Sequence, residues 1–321
     1  MADTELVRLT QLRATLSARV ESDSGTLSAL ASDAAGTTVT FNKSFLDVSD
    51  IRVTPKGLTR VAHCHKPDSE YLSKADSAAL STGDITFTFA VWVKLLSKEA
   101  AMGLVSKWNT SGNQREYLLK YDQATDKFIF MVSSNGTAET SISAANFPTP
   151  PPGLWSLIIV SHDATANTID IQVNNGAIDS SSYSSGVYDS TAAFNIGAIA
   201  GANPANALFG NVGFWKGSLS SAYRQNLYDY GYRVGYSELP AGLLTNLTSF
   251  WPLTEESGTR EDAHGAEDLT DNNTVRSKVI SKSAIVDFTD APNPTDFAAY
   301  IFDDQGIRIS SEASWSAEGY L

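Results

Sequence analysis

The segment WNTSGNQREY, residues 108 to 117, sets aromatic rings beside amide and guanidinium groups: Trp108, Asn109, Asn113, Gln114, Arg115 and Tyr117 fall within ten residues. Aromatic faces next to hydrogen-bonding groups can hold a polar ligand that has an apolar side, with no covalent step. The loop GAIDSSSYSSGVYDS (176–190), carrying Tyr183 and Tyr188, is a second segment of this kind, with the Tyr, Ser and Gly content of a binding loop. Reactive chemistry is sparse by comparison. No G-x-S-x-G elbow, phosphate-cradling Walker loop or H-E-x-x-H occurs. The single cysteine, Cys64, lies between His63 and His65 and reads as a small core residue rather than a nucleophile. The two histidines share a strand face, but no third metal ligand stands near them in sequence. Asp170 is the lone acid of TIDIQV and Glu116 that of EYLLKY, while Glu255, Glu256, Glu261 and Asp262 cluster in a glycine-flanked loop.

These residues need a scaffold, and the pattern around them is that of strands. ITFTFAVWVKL (85–95), GLVSKW (103–108), EYLLKY (116–121), KFIFMVS (127–133), LWSLIIVSHD (154–163) and TIDIQVN (168–174) are short apolar runs separated by Gly, Pro, Asn, Asp and Ser clusters. That spacing predicts an all-β sandwich rather than βαβ units. PTPPPG (148–153) must cross the surface, because proline cannot sit in a central strand. SLSSAYRQNLYDYG (218–231) predicts one short helix, with serine at its start and Gly231 at its end. Trp92, Trp155, Trp215 and Trp251 sit in apolar runs and belong to the core.

The ends differ. Leu6, Leu9, Leu12, Leu16 and Val20 recur at three- and four-residue steps and predict an amphipathic helix over 3–22. Leu6, Leu9, Leu16 and Val20, continued by Leu27 and Leu30, would form a self-associating seam interrupted by Arg13 and Asp23. Residues 22–38 read as a linker. TVTFNKSFLDVSDIRVTP (38–55) predicts a strand pair, and FAAYIFDDQGIRIS predicts a hairpin turning at Asp304, Gln305 and Gly306. Each set of strands is too small to stand alone, so together they predict one small β domain split by a large insert. The expected boundaries are 1–36 for the helix and linker, 37–57 with 277–321 for the split domain, and 58–276 for the insert.

Composition narrows the function. The 23 basic and 36 acidic residues of the 321 leave a net charge of −13, whose field repels nucleic acid and anionic membranes. No apolar run is long enough for a transmembrane helix, and the N-terminus lacks the apolar core of a secretory signal. The expectation is a chain made in the cytoplasm, without membrane insertion or nucleic-acid binding.

The stretch EYLSKADSAALSTGDITFTFAVWVKL, followed by LVSKWNTSGNQREYLLKYDQATDKFIFMVSSNGT, LWSLIIVSHDATANTIDIQVNNG, FNIGA and VGFWKGSLSSAYRQNLYDYG, resembles the laminin-G-like (concanavalin A-like) jelly-roll family over residues 60–275. The resemblance implies two antiparallel sheets, one with a concave face. SFWPLTEESGTREDAHGAEDLTDNNTV (249–275) is similar to the opening of such domains yet comes last, and is expected to close the same sandwich from the other end. The flanks, TFNKSFLDVSDIRVTPKG with AIVDFTDAPNPTDFAAYIFDDQGIRISSEASWSAEGY, resemble the small β domain near the ends of tailed-bacteriophage fibre and tail proteins.

The fold class expected is therefore mainly β: an antiparallel jelly-roll sandwich inserted in a small β-sandwich domain, with an N-terminal helix. Sandwiches of this family include glycoside hydrolases, which need two carboxylates flanking the scissile bond, and no strand here carries such a pair. What the resemblance implies instead is sugar binding, with Trp108, Asn109, Asn113, Arg115, Tyr117, Tyr183 and Tyr188 as candidates. A structural reading of these residues stays open, since Trp108 ends an apolar strand. Family members often hold calcium at a sheet rim, which makes Asp262, Asp268, Asp271 and Asn272 candidate ligands; a solvated acidic turn is the alternative. The whole reads as a non-enzymatic phage virion surface protein, fibre or spike. It would be homotrimeric, joined to other virion proteins through its N-terminal helix, and would contact host-surface polysaccharide. The alternatives are a capsid decoration protein that binds no sugar and a bacterial carbohydrate-binding module.

Overall fold

In the computed structural model the described residues are 20–30, 37–40, 47–55, 59–280, 282–288, 296–303 and 311–320, with side chains described over 60–280. The chain divides into two compact units, Met1–Leu58 with Ser281–Leu321, and Thr59–Ile280.

The first unit holds β1 (Val20–Leu30), β2 (Thr37–Thr40) and β3 (Asp47–Pro55) from the start of the chain. The second holds β4 (Thr59–Cys64), β5 (Tyr71–Lys74), β6 (Phe87–Leu95), β7 (Met102–Asn109), β8 (Gln114–Asp122) and β9 (Lys127–Ser133). It continues with β10 (Glu139–Ser143), β11 (Trp155–Asp163), β12 (Thr168–Val173), β13 (Asp179–Ser182), β14 (Phe194–Ile196) and β15 (Ala207–Trp215). Helices α1 (Ser221–Tyr230) and α2 (Ala241–Leu244) precede β16 (Leu247–Trp251), β17 (Thr270–Asn272) and β18 (Arg276–Ile280). The first unit resumes with β19 (Lys282–Phe288), β20 (Asp296–Asp303) and β21 (Ser311–Tyr320).

In the first unit β21 lies between β1 and β3, and β20 lies between β19 and β2, all antiparallel. Two expectations are corrected. The stretch expected as a helix end and linker is a strand: Val20 pairs with Tyr320 and Leu27 with Ala313. Val20 is therefore outside any helical seam, as are Leu27 and Leu30, while Leu6, Leu9 and Leu16 lie outside the described residues. The hairpin expected to turn at Asp304, Gln305 and Gly306 has its turn and second strand outside the described residues. The presumed strand pair at 38–55 is divided between the two sheets.

The second unit is the sandwich. One sheet runs β10-β9-β8-β7-β14-β5-β17, and the other runs β13-β12-β11-β6-β15-β4-β18, with β16 paired to β15. Segment 247–280 adds strands to both sheets and so closes the same sandwich from its other end. Between the sheets the core is aromatic and aliphatic: Phe89 stacks on Phe214 with ring centres 4.3 Å apart, and Phe194 on Trp251 at 5.2 Å. Strands β6, β11 and β15 are buried on both faces, which is why their sequences run apolar instead of alternating. Their outer face is covered by α1 and the chain after it. Trp155 stacks on Tyr232 at 3.9 Å, Trp92 on Tyr228 at 6.0 Å, and Trp215 Nε1 donates to the Leu243 carbonyl at 2.7 Å. Helix α1 is capped as its sequence predicts: Ser220 Oγ accepts from Tyr223 N–H, and Gly231 ends it with φ +72°.

With one sheet covered, the seven-stranded sheet keeps an outward face. Among the described residues no helix is long and apolar enough to cross a membrane.

Candidate functional site

On β8, Tyr117, Leu119 and Tyr121 point into the core, so Leu118 and Lys120 project to the outer face. On β9, Phe128, Phe130 and Val132 point inward and Met131 outward. Leu118 is directly opposite Met131, and Ser106 and Ser141 extend the row on either side. Leu118 and Met131 floor a cleft of about 400 Å³, whose other lining residues include Trp108, Asn109, Thr110, Lys120, Glu139, Ile199, Ala202 and Asn203.

One wall of the cleft is a tight turn. Ile199 and Ala202 exchange two main-chain hydrogen bonds of 2.8 Å, and the turn between them runs through left-handed Ala200 and Gly201. The turn presses on β7 at Gly103, where a Cβ would lie 2.5 Å from the Ala198 carbonyl carbon, so only glycine admits this approach. Gly103 N–H also donates to the Asn203 carbonyl at 3.0 Å. The wall is thus fixed by backbone contacts before any ligand arrives.

Charge sits at both ends of the floor. Glu139 Oε1 is held by Arg115 Nε at 2.9 Å, and Arg115 Nη1 donates to the Gly136 carbonyl. Lys120 Nζ pairs with Asp122 Oδ1 at 3.3 Å, and hydrogen bonding from Thr125, then Lys120, holds the Asp122 carboxyl below the usual range.

The candidates read from sequence distribute unevenly around this cleft. Trp108 lines it but is only 3% exposed, so it forms wall rather than platform. Asn109 lines it directly, and Arg115 contributes by holding Glu139. Asn113 occupies the exposed β7–β8 turn at φ +58°, and Gln114 accepts from Thr191 N–H at 2.7 Å. Tyr117 is corrected to a core residue, 1% exposed, its hydroxyl donating to the Leu80 carbonyl at 2.8 Å. Tyr183 is likewise buried, its hydroxyl on the Gly186 carbonyl and its ring against His162. Tyr188 is half-buried over Gly136, its N–H donating to the Ser133 carbonyl. Leu118, Lys120, Met131, Glu139 and the 199–203 turn were not singled out from sequence. The one available signal was an apolar residue on the solvent side of β8 and β9.

The acidic candidates for calcium accept main-chain hydrogen bonds. Asp262 Oδ1 accepts from the N–H groups of Phe250, His264 and Gly265, and its Oδ2 accepts from Glu267 N–H. Asp268 accepts from Asp262 N–H, and Asp271 accepts from Gly258 and Val275 N–H. Their oxygens are spent on main-chain amides, and among the described residues no three acidic, histidine or cysteine side chains converge on a point where a metal could bind. Burial pushes the Cys64 thiol far above its usual range, which leaves it inert. Glu116 is wholly buried: it meets Lys107 Nζ at 2.8 Å and accepts from the amides and hydroxyls of Thr82 and Ser190. That makes it structural.

The two antiparallel sheets, with one face left open over a cleft, form a jelly-roll-like sandwich. Residues 68–223, within the Thr59–Ile280 sandwich, match the family model described as the concanavalin A-like lectin/glucanases superfamily, Laminin_G_3. A candidate carbohydrate-binding protein from Bacteroides ovatus superposes with a TM-score of 0.51 at 15% identity, over 70% of this chain and 61% of that one. The chain thus spans less than two thirds of that structure. A heptameric SAP-like pentraxin from Limulus polyphemus gives 0.40 at 11% identity, over 57% of this chain and 83% of that one. The CBM40 of a Ruminococcus gnavus IT-sialidase, bound to α2,3-sialyllactose, gives 0.37 at 14%, over 48% and 90%. No curated protein matches the sequence.

Proposed function

We propose that the chain is a non-enzymatic, glycan-binding surface protein of a tailed-bacteriophage virion. Its lectin-type unit engages host-surface polysaccharide through the cleft on the seven-stranded sheet, and its flanking strands and N-terminal segment anchor and trimerise it. The observation that carries the binding role is the cleft itself, about 400 Å³, walled by a rigid turn and rimmed by Asn109, Lys120, Glu139 and Asn203. Most glycosidases work with a pair of carboxylates, and Glu139 is the single one among the lining residues. The phage setting is supported by the resemblance of residues 40–57 and 284–320 to fibre and tail domains. Weak binding at one site would be raised by several copies acting together.

The test is binding of the full chain to an array of bacterial surface polysaccharides, with Ala202→Trp as the control that fills the cleft from an exposed position. Binding by the wild type that the folded variant loses supports the reading. A folded wild-type chain that binds nothing would move the assignment to a shell-stabilising decoration protein.

A further inference from the structure

We infer that the cleft selects sugars carrying an N-acetyl group over their hydroxyl counterparts. This rests on the glycan-binding reading and adds the ligand class.

Sugar sites commonly stack a pyranose ring on an exposed aromatic face. Here the one aromatic lining residue, Trp108, is 3% exposed and offers no such face. The apolar surface the floor offers is instead Met131, half-buried and opposite the buried Leu118 across β8 and β9, with the half-buried Ile199 on the wall. Unsubstituted pyranoses present hydroxyls, and an aliphatic floor leaves these without partners. An acetamido methyl fits that floor, and methionine's flexible thioether adapts to a small apolar substituent.

The two polar groups of an acetamido substituent, its N–H and its carbonyl, need an acceptor and a donor respectively. Arg115 holds Glu139 by Oε1, which leaves the other carboxylate oxygen to accept the ligand N–H. The side-chain amides of Asn109 and Asn203 on the rim can donate to the ligand carbonyl. Glu139 lies opposite Ser133, two residues along β9 from Met131, and Lys120 lies two residues beyond Leu118 in the other direction. The two charges therefore bracket the aliphatic pair, with about 13 Å of strand between them. That is the span of a short oligosaccharide rather than a single sugar.

The experiment measures the affinity of the full chain for matched probes that differ only at the acetamido position: chitotriose against cellotriose, and N-acetyllactosamine against lactose. At least one N-acetylated member is expected to bind at least about tenfold tighter than its hydroxyl partner, and Met131→Glu is expected to erase that ratio. The same comparison is made on the chain's best polysaccharide ligand before and after chemical de-N-acetylation. Equal affinity for native and de-N-acetylated polymer, or a preference that survives Met131→Glu and Ala202→Trp, overturns the inference while leaving glycan binding in place. Absence of binding to every polysaccharide and probe overturns both.

Discussion

Lys107 Nζ lies 2.8 Å from Glu116 Oε2, with neither side chain exposed to solvent. The ammonium also meets Asp76 Oδ1 at 2.9 Å, Ser190 Oγ at 3.3 Å and the Ser190 carbonyl, while Glu116 gathers four further donors from Thr82 and Ser190. The pair ties together β7, β8 and the loops before β6 and β14. Removing one partner strands a buried charge, so Lys107→Met and Glu116→Ala should each lower unfolding free energy by about 3–5 kcal/mol. Urea denaturation checks this, and a double-mutant cycle should show coupling above about 1 kcal/mol. Additive single effects would mean that the two side chains act separately.

Trp108 should behave as a structural residue that borders the cleft. Its burial predicts that Trp108→Ala lowers stability by about 3–5 kcal/mol, whatever it does to binding. Asn109→Ala, at the half-buried rim, should leave the melting temperature within about 2 °C and weaken glycan binding. Thermal melts alongside binding isotherms separate the two roles.

The wall turn predicts a third outcome. Gly103→Ala forces the backbone at Ala198 and the Ile199 side chain to shift, because the new Cβ would lie 2.5–2.6 Å from them. Stability should drop by about 1–3 kcal/mol, and binding should weaken with it. Unchanged affinity in a folded Gly103→Ala protein would show that the 199–203 turn is no part of the site.

Acid should loosen the sandwich through His63. Burial, reinforced by the neighbouring His65, Arg276 and Lys278, holds its pKa below 6.5, and its Nε2 has no hydrogen-bond partner. A histidine depressed in the folded state takes up its proton more readily when unfolded. Its contribution is therefore complete above the unfolded pKa near 6.5 and is lost as pH falls through the lower folded value. Between about pH 7 and 5.5 the wild type should lose stability that a folded His63→Leu chain retains. Parallel denaturation curves at the two pH values decide it.

Chelation should change nothing, whereas Asp262→Ala should cost about 3 kcal/mol. Four main-chain amides, three in the loop and that of Phe250 in β16, lose their acceptor in that variant. A melting temperature that falls with EDTA and is restored by calcium would overturn the assignment of these carboxylates to the loop backbone.

The sandwich was legible where strand composition is unambiguous. KFIFMVS occupies residues 127–133, the bounds of β9, and the helix at 221–230 announced both of its caps. Strand β1 was not legible, because VESDSGTLSAL has no alternation and owes its conformation to β21, almost the full chain length away. The site failed for a related reason. In EYLLKY the apolar residues are contiguous, so nothing local says that Tyr117 turns inward and Leu118 outward; pairing with β7 and β9 decides it. The polar residues of the β7–β8 turn drew attention because they are conspicuous. The cleft floor is aliphatic, and on a strand that is indistinguishable from core until the opposite face is filled.

Thr59, where the sandwich begins, sits directly opposite Ile280, where it ends. Two neighbouring strands thus serve as entrance and exit, about 5 Å apart, which is the spacing any ordinary surface hairpin presents to its host. A domain wired in this way is an exchangeable cassette. Another binder with the same paired ends could replace it without re-registering the flanking strands. Tension on those ends would peel β4 from β18 one hydrogen bond at a time, sparing the cleft strands β8 and β9 until the edge had opened.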